Sequence, residues 1–166
     1  MSKLAIILQT ENLVVYSPVL DGEVYTEFEK FIIESAALKD PPLQEDRDII
    51  RARIKKMAES CGAQENLFRP EGSRRDNVLA LPTLQTRRPR DIGVLRLYCD
   101  RISDMVLIIG NGGVKKVQKY QEDTALHAHV KLLHKIDRII QKQLIDRDID
   151  PDNKGAVMEI LNNLVF

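Results

Sequence analysis

The chain has 166 residues, 43% of them hydrophobic, which suffices for the core of one domain and excludes a chain that is disordered throughout. Its two cysteines, Cys61 and Cys99, lack the number and spacing of a disulfide framework or a zinc site, and we see no secretory signal. No apolar run approaches the roughly 18 residues that span a bilayer. We therefore expect a reduced, cytoplasmic protein that is not integral to a membrane.

The formal net charge of zero conceals an uneven distribution. Residues 1–48 hold four Lys and Arg against ten Asp and Glu, residues 49–119 hold fifteen against seven, and residues 120–166 hold six against eight. A basic middle between acidic ends either faces nucleic acid or neutralises its own flanks. The sequence alone leaves both readings open.

The first third of the chain predicts two strands and two helices. Ile- and Val-rich runs at residues 4–9 and 13–17 flank a turn, which indicates a hairpin or one bent strand. Apolar residues then recur at intervals of three and four from residue 23 to about 38, and Pro41-Pro42 closes this predicted helix. A second helix is predicted from about residue 45 to 61, with Gly62 as its stop.

The rest of the chain returns to strands and then to helices. Residues 63–76 have the Asn, Pro, Gly and Ser content of a loop. Three β-rich runs follow with short separations, which favours an antiparallel meander; they are residues 77–85, 93–100 and 105–110. A broad apolar stripe predicts a helix from about residue 121 to 145, and a short helix is expected at 156–164.

This order predicts an α+β fold in which the helices pack on one face of a small antiparallel sheet, with the N-terminal helices packed on it and further helices at the C-terminus. The sheet would be the meander plus a strand from the N-terminal hairpin. We divide the chain into an N-terminal strand or hairpin extension at residues 1–22, an α+β core at residues 23–145, and an acidic turn with a short helix at residues 146–166.

A candidate site follows the apolar run at residues 105–110. There a glycine-rich segment leads into Lys115 and Lys116, a pattern that lets backbone approach a ligand and offers cations to phosphate oxygens. Arg96 joins them if the strands that carry it and the apolar run are paired. A cation array of this kind can stabilise the extra charge that develops when a 2′-hydroxyl attacks the adjacent phosphate, with no need for a metal. A solvated turn is the competing interpretation, and Arg96 can instead pair with Asp91 or Asp100.

Residues 92–125 resemble the end of a RelE/HigB-type toxin, the messenger-RNA-cleaving half of a bacterial toxin–antitoxin pair. The positions that match are Gly112, Val114, Lys115, Lys116, Gln118, Lys119 and Ala125, with Arg96 at the place of the arginine in the family's middle strand. The resemblance implies a RelE-like fold, a metal-independent endoribonuclease that needs no cofactor, and messenger RNA, the ribosome and an antitoxin as partners. The chain departs from the family in its length and in Gly113, where an aromatic residue is expected.

The predicted catalytic set is therefore Arg96, Lys115, Lys116, Lys119 and Tyr120. Tyr120 would stack on a base or position a proton. The basic turn before Gly93 would hold flanking phosphates through Arg87, Arg88 and Arg90, unless it is a solvated hairpin turn.

A different class of function is also open, namely a non-catalytic interaction protein on the same scaffold. It would dock a partner, or a second copy in a homodimer, through its acidic N-terminal segment or the apolar residues 157–166. Two further patterns in the sequence are those of possible metal ligands. Residues 148–159 partly match a calcium loop but also suit an acidic turn, and the three histidines, at 127, 129 and 134, lack a further ligand pattern. We therefore expect no metal.

Overall fold

The computed structural model describes residues 1–70, 77–83, 93–116 and 123–166. Within these ranges the fold is a six-stranded mixed sheet with helices on both faces. The strands are β1 (Lys3–Gln9), β2 (Val14–Val19), β3 (Arg69–Pro70), β4 (Val78–Ala80), β5 (Val94–Arg101) and β6 (Val106–Lys115). The α-helices are α1 (Glu27–Ala36), α2 (Pro41–Lys56), α3 (Thr124–Asp146) and α4 (Lys154–Asn162).

The strands lie in the order β1, β2, β6, β5, β4, β3. The meander of β4, β5 and β6 is antiparallel, as the short separations predict, and so is the β1–β2 hairpin. The two parts join through a parallel pair, in which Val14, Val15 and Tyr16 of β2 face Val106, Leu107 and Ile108 of β6. The α+β class is therefore confirmed, while the sheet is mixed and larger than the small antiparallel sheet that we expected.

Helices cover both faces of this sheet, so the prediction that they pack on one face is wrong. Successive residues of the central strands point to opposite cores: Val106 and Ile108 pack with α3 and α4, whereas Leu107 and Ile109 pack with α1 and α2. All four are fully buried. A strand that is buried on both faces has a continuous apolar run, and this explains why the run around residue 107 shows no alternation.

A capping box and a proline pair mark the starts of the two N-terminal helices. A capping box starts α1: the Thr26 side chain accepts from the Glu29 backbone N–H, and the Glu29 carboxylate accepts from the Thr26 backbone N–H. The proline pair at 41 and 42 does not end α1, which stops at Ala36, but occupies the first turn of α2, where a missing N–H costs nothing. A π-helical turn, Met57–Cys61, extends α2.

The C-terminal part packs back on the sheet. The apolar stripe of α3, which includes Leu133, Ile136 and Ile140, is buried as predicted, and α4 joins the same core through Val157 and Leu161. After α4, residue 165 forms an antiparallel bridge to residue 3 on β1. The segment 157–166, one of the two proposed docking segments, is therefore largely used inside the fold.

Among the residues that the structure describes, no helix is both long enough and apolar enough to cross a membrane. This agrees with the absence of a long apolar run in the sequence.

Candidate functional site

Arg96 and Lys115 lie on the same face of two neighbouring strands. Arg96 is opposite Gly113 in the β5–β6 ladder and Lys115 is opposite Val94, so the two cations are diagonal neighbours. Because Leu95 of β5 and Val114 of β6 pack toward α1 and α2, the two cations point to the α3 side of the sheet. Arg96 exposes 1% of its surface and Lys115 exposes 4%. The required strand pairing is present, but these two side chains do not line an open cleft.

The remaining predicted site residues lie at or beyond the ends of the described segments. Lys116 is exposed and follows β6 directly. Lys119 and Tyr120 lie outside the described residues, and so does the predicted phosphate-binding set of Arg87, Arg88 and Arg90. The chain enters β5 at Gly93 and leaves β6 at Lys116, and the Gly93 N–H donates to the Lys115 carbonyl at 2.6 Å. The catalytic roles of Lys116, Lys119 and Tyr120 and the RNA-binding roles of the three arginines stay predictions.

The glycine-rich segment is part of β6 and not an exit from it, which corrects the predicted strand end at residue 110. One extra residue in β6 shifts the register between Leu97 and Cys99 of β5, which is a β-bulge. A Cβ atom on Gly112 would lie 1.8 Å from the Arg96 carbonyl oxygen, so only glycine allows the strands to approach this closely. The glycines therefore have a packing role in the sheet.

A buried carboxyl group, that of Asp100, lies on the same face further along β5, next to the half-buried Asp137. Asp100 is fully buried, and Asp137 on α3 faces it. Burial raises the pKa of Asp100 well above its ordinary value, and the charge and hydrogen bonding of Asp137 raise it further. Asp137 itself accepts from the side-chain amides of Asn77, at 3.2 Å, and Gln141, at 3.2 Å. The raised pKa favours the protonated form of Asp100, which lies on β5 against α3.

The residues of the two metal patterns and the buried Cys99 have structural surroundings in the described part of the chain. In the described ranges, no three or more His, Cys, Asp or Glu side chains are grouped so as to hold a metal ion. In the segment that partly matched a calcium loop, the Asp150 carboxylate accepts from the Asp152 backbone N–H, and Asn153 caps α4 through the Ala156 backbone N–H. These are the bonds of an acidic turn. Burial raises the pKa of the Cys99 thiol, so this cysteine is an unreactive core residue.

An apolar groove lies beside the edge strand β1, and the sequence did not reveal it. It consists of two adjoining cavities of about 400 Å³ and 560 Å³ that share Leu8, Phe28 and Ile54 as walls. The first continues along α2 past Arg51 and Lys55, and the second continues along β1 and the start of α1. The further lining residues are Ala5, Ile6, Ile7, Thr10, Val15, Thr26, Glu29, Ile32, Ala58 and Glu59.

Polar contacts fix the walls of this groove. The Thr10 hydroxyl donates to the Ala58 carbonyl at 2.5 Å, which ties the end of β1 to the turn after α2. On α1, the buried Glu27 accepts from Lys30 at 2.6 Å and from the Asn111 amide of β6 at 3.2 Å. The Ser17 hydroxyl of β2 accepts from the Phe28 backbone N–H at 3.0 Å. These bonds join β1, β2, α1 and the turn after α2, the elements around the groove.

The chain was also compared with known protein families, curated proteins and solved structures. The chain matches no protein-family model, and searches of curated proteins and of solved structures returned no significant similarity. The RelE/HigB resemblance consequently remains a hypothesis drawn from residues 92–125.

Proposed function

We propose that this chain is a non-catalytic interaction protein that docks an extended segment of a partner beside β1. The observation that carries the proposal is the apolar groove along an edge strand. An edge strand offers backbone N–H and C=O groups to an incoming strand, and the groove offers pockets to its alternate side chains. The acidic N-terminal segment takes part through β1, as the sequence alternative expected.

A selection of displayed random peptides on the immobilised protein tests this proposal. We expect enriched peptides with alternating apolar residues, because a bound strand would point every second side chain into the groove. Ile32→Lys, on the groove wall, should abolish their binding, and Ile145→Lys, at an exposed site on α3, should leave it unchanged. Thermal unfolding would verify that both variants are folded. Failure to enrich any peptide, or equal binding by Ile32→Lys, would refute the proposal.

A second candidate function is the metal-independent endoribonuclease of the RelE/HigB type, which cleaves messenger RNA at the ribosome in the cytoplasm under the control of an antitoxin. The specific observation in its favour is that Arg96 and Lys115 share one face of adjacent strands. Against it, both side chains are buried, whereas phosphate oxygens have to reach the cations that stabilise them. The groove therefore supports the interaction proposal better.

Induced expression in bacteria separates the two functions. The endoribonuclease predicts growth arrest and cleavage of a translated message, both abolished by the joint change of Arg96, Lys115 and Lys116 to Ala. Because two of these residues are buried, Lys116→Ala alone serves as the variant that preserves the fold. If wild type and variants are equally harmless at equal soluble levels, this chain alone is not an endoribonuclease.

A further inference from the structure

The outer side of β1 is covered at one end and open along the rest. Residue 165 bridges to Lys3, and the Phe166 N–H donates to the Ser2 carbonyl at 3.2 Å. Among the described residues, no strand pairs with the outer side of β1 from Ala5 to Gln9. Ile6, in the middle of the strand, is 43% exposed. An apolar, unpaired edge of this length is a template for another strand.

The charged groups around the groove are separated by sign along β1. Glu29 lies at the end near Ala5 and Ile6, whereas Arg51 and Lys55 lie at the end near Thr10. The basic end also holds Glu59, whose carboxylate is 4.0 Å from Lys55 Nζ, and the basic charge still exceeds the acidic charge there. The groove is thus acidic at one end and basic at the other.

Such an arrangement is complementary to itself under a two-fold rotation. An axis perpendicular to the sheet, near the middle of β1, would pair two β1 strands antiparallel and keep α1 and α2 of both copies on the same side. It would also bring Glu29 of each copy to the Arg51 and Lys55 end of the other. A parallel pairing of the two β1 edges would instead place α1 and α2 of the two copies on opposite faces of the sheet, where these charges do not meet.

We propose that the occupant of the groove is a second copy of this chain, which forms a two-fold dimer through antiparallel β1 edges. The inference rests on the proposed interaction function and specifies its partner. The sheet continues across both copies, and the apolar side chains beside β1, among them Ile6 and Phe28, are covered in the dimer. The paired charges at the two ends fix the register.

Sedimentation equilibrium over about a hundredfold range of protein concentration gives the primary test. We expect the mass to approach twice the 19.0 kDa of one chain as concentration rises. Ile6→Lys should weaken the dimer at least about tenfold, because it buries a charge at the paired edge. Ile145→Lys, remote from β1, should leave the dissociation constant unchanged. A mass that stays at 19.0 kDa over the whole range would overturn the dimer.

Charge exchange tests the register. Glu29→Lys alone, and Arg51→Glu with Lys55→Glu alone, should each lower self-association about tenfold, since like charges would meet at both ends. An equimolar mixture of the two should recover wild-type affinity, because every contact is then between opposite charges. Glu29→Gln keeps the capping bond of α1 and reports how much of the effect comes from the cap. Lack of recovery in the mixture would overturn the antiparallel arrangement.

The two proposals fail in different ways. A chain that is monomeric at every concentration but selects peptides through the Ile32 surface retains the interaction function with another partner. A chain that dimerises but selects no peptide refutes the docking of a separate extended segment and leaves the dimer standing. A chain that does neither refutes both proposals.

Discussion

Asp100→Asn replaces the protonated carboxyl group at the centre of the sheet by an amide of the same shape. The amide has no proton that can be lost in this pH range. In the wild type, the folded chain holds the Asp100 proton because burial and Asp137 raise its pKa, whereas the unfolded chain releases it at the ordinary value near 3.8. The substitution therefore removes a pH dependence of stability while it preserves the packing.

The sign and size of this effect follow from proton linkage. Between the unfolded and the folded pKa of Asp100, the native state binds one more proton than the unfolded state, so the free energy of unfolding falls by about 1.4 kcal/mol per pH unit. The stability that the protonated carboxyl contributes is fully present below the unfolded pKa and is lost as the pH rises through the folded pKa. Asp100→Asn should escape this loss, and its advantage over wild type should grow by about 1.4 kcal/mol per pH unit in that window.

Urea unfolding followed by circular dichroism measures the difference at about pH 4.5, 5.5 and 6.5. The matched control is Asp146→Asn, which removes an exposed carboxylate that pairs with Lys142 on α3. Its difference from wild type should stay within about 0.5 kcal/mol at all three values. If the advantage of Asp100→Asn does not change with pH, the pKa of Asp100 is not raised in the folded protein, and this account of the buried carboxyl group is wrong.

Further substitutions test the packing and the capping around the site. Gly112→Ala should lower the free energy of unfolding by about 3 kcal/mol or prevent folding, because its Cβ would overlap the Arg96 carbonyl. Gly113→Ala, whose Cβ would lie 3.5 Å from Leu126, should lower it by less than about 1 kcal/mol. Comparable urea midpoints for the two variants would contradict this account. Thr26→Ala should lower the free energy of unfolding by about 1 kcal/mol through loss of the α1 cap, and an unchanged thermal midpoint would show that the cap is unimportant.

The expression assay, sedimentation equilibrium and peptide selection each test a different function of the chain. The expression assay decides whether this chain cleaves RNA, independently of what the groove binds. The sedimentation experiment asks whether β1 is an interface between copies, and the peptide selection asks whether it accepts another strand. Only the last two depend on the groove and its apolar walls, and the Ile145→Lys control is common to them.

Most helices and strands were predictable because their signals are local. The stripe of α3 recurs at helical spacing, and the turn residues around β5 bound a meander. The predicted ends of helices and strands were less accurate where a residue type is common in two different local structures. Pro41 and Pro42 read as a helix stop but begin α2, and the glycines at 112 and 113 read as a loop but lie in a bulged strand. In each case a tertiary contact decided between two locally acceptable conformations.

The candidate site shows the same division. The length of β6 and the register of its ladder with β5, which only the structure shows, put Arg96 and Lys115 on one face. Composition and spacing predicted only that Arg96 would join Lys115 if the two strands pair, and they placed Lys115 beyond the strand end. They gave no indication that α3 covers that face, since burial depends on which helix packs where. The pairing of Asp100 with Asp137 is likewise invisible in a chain where the two are 37 positions apart.

The sequence by itself determined the α+β class, the meander and the long amphipathic helix, because each depends on residues that are near one another in the chain. It left open whether the first two β-rich runs form a hairpin or one bent strand. The tertiary structure alone decided that β2 pairs parallel to β6, that helices cover both faces of the sheet, and that β1 is an edge beside an apolar groove. These features depend on contacts between distant segments, and local periodicity carries no information about which segments meet.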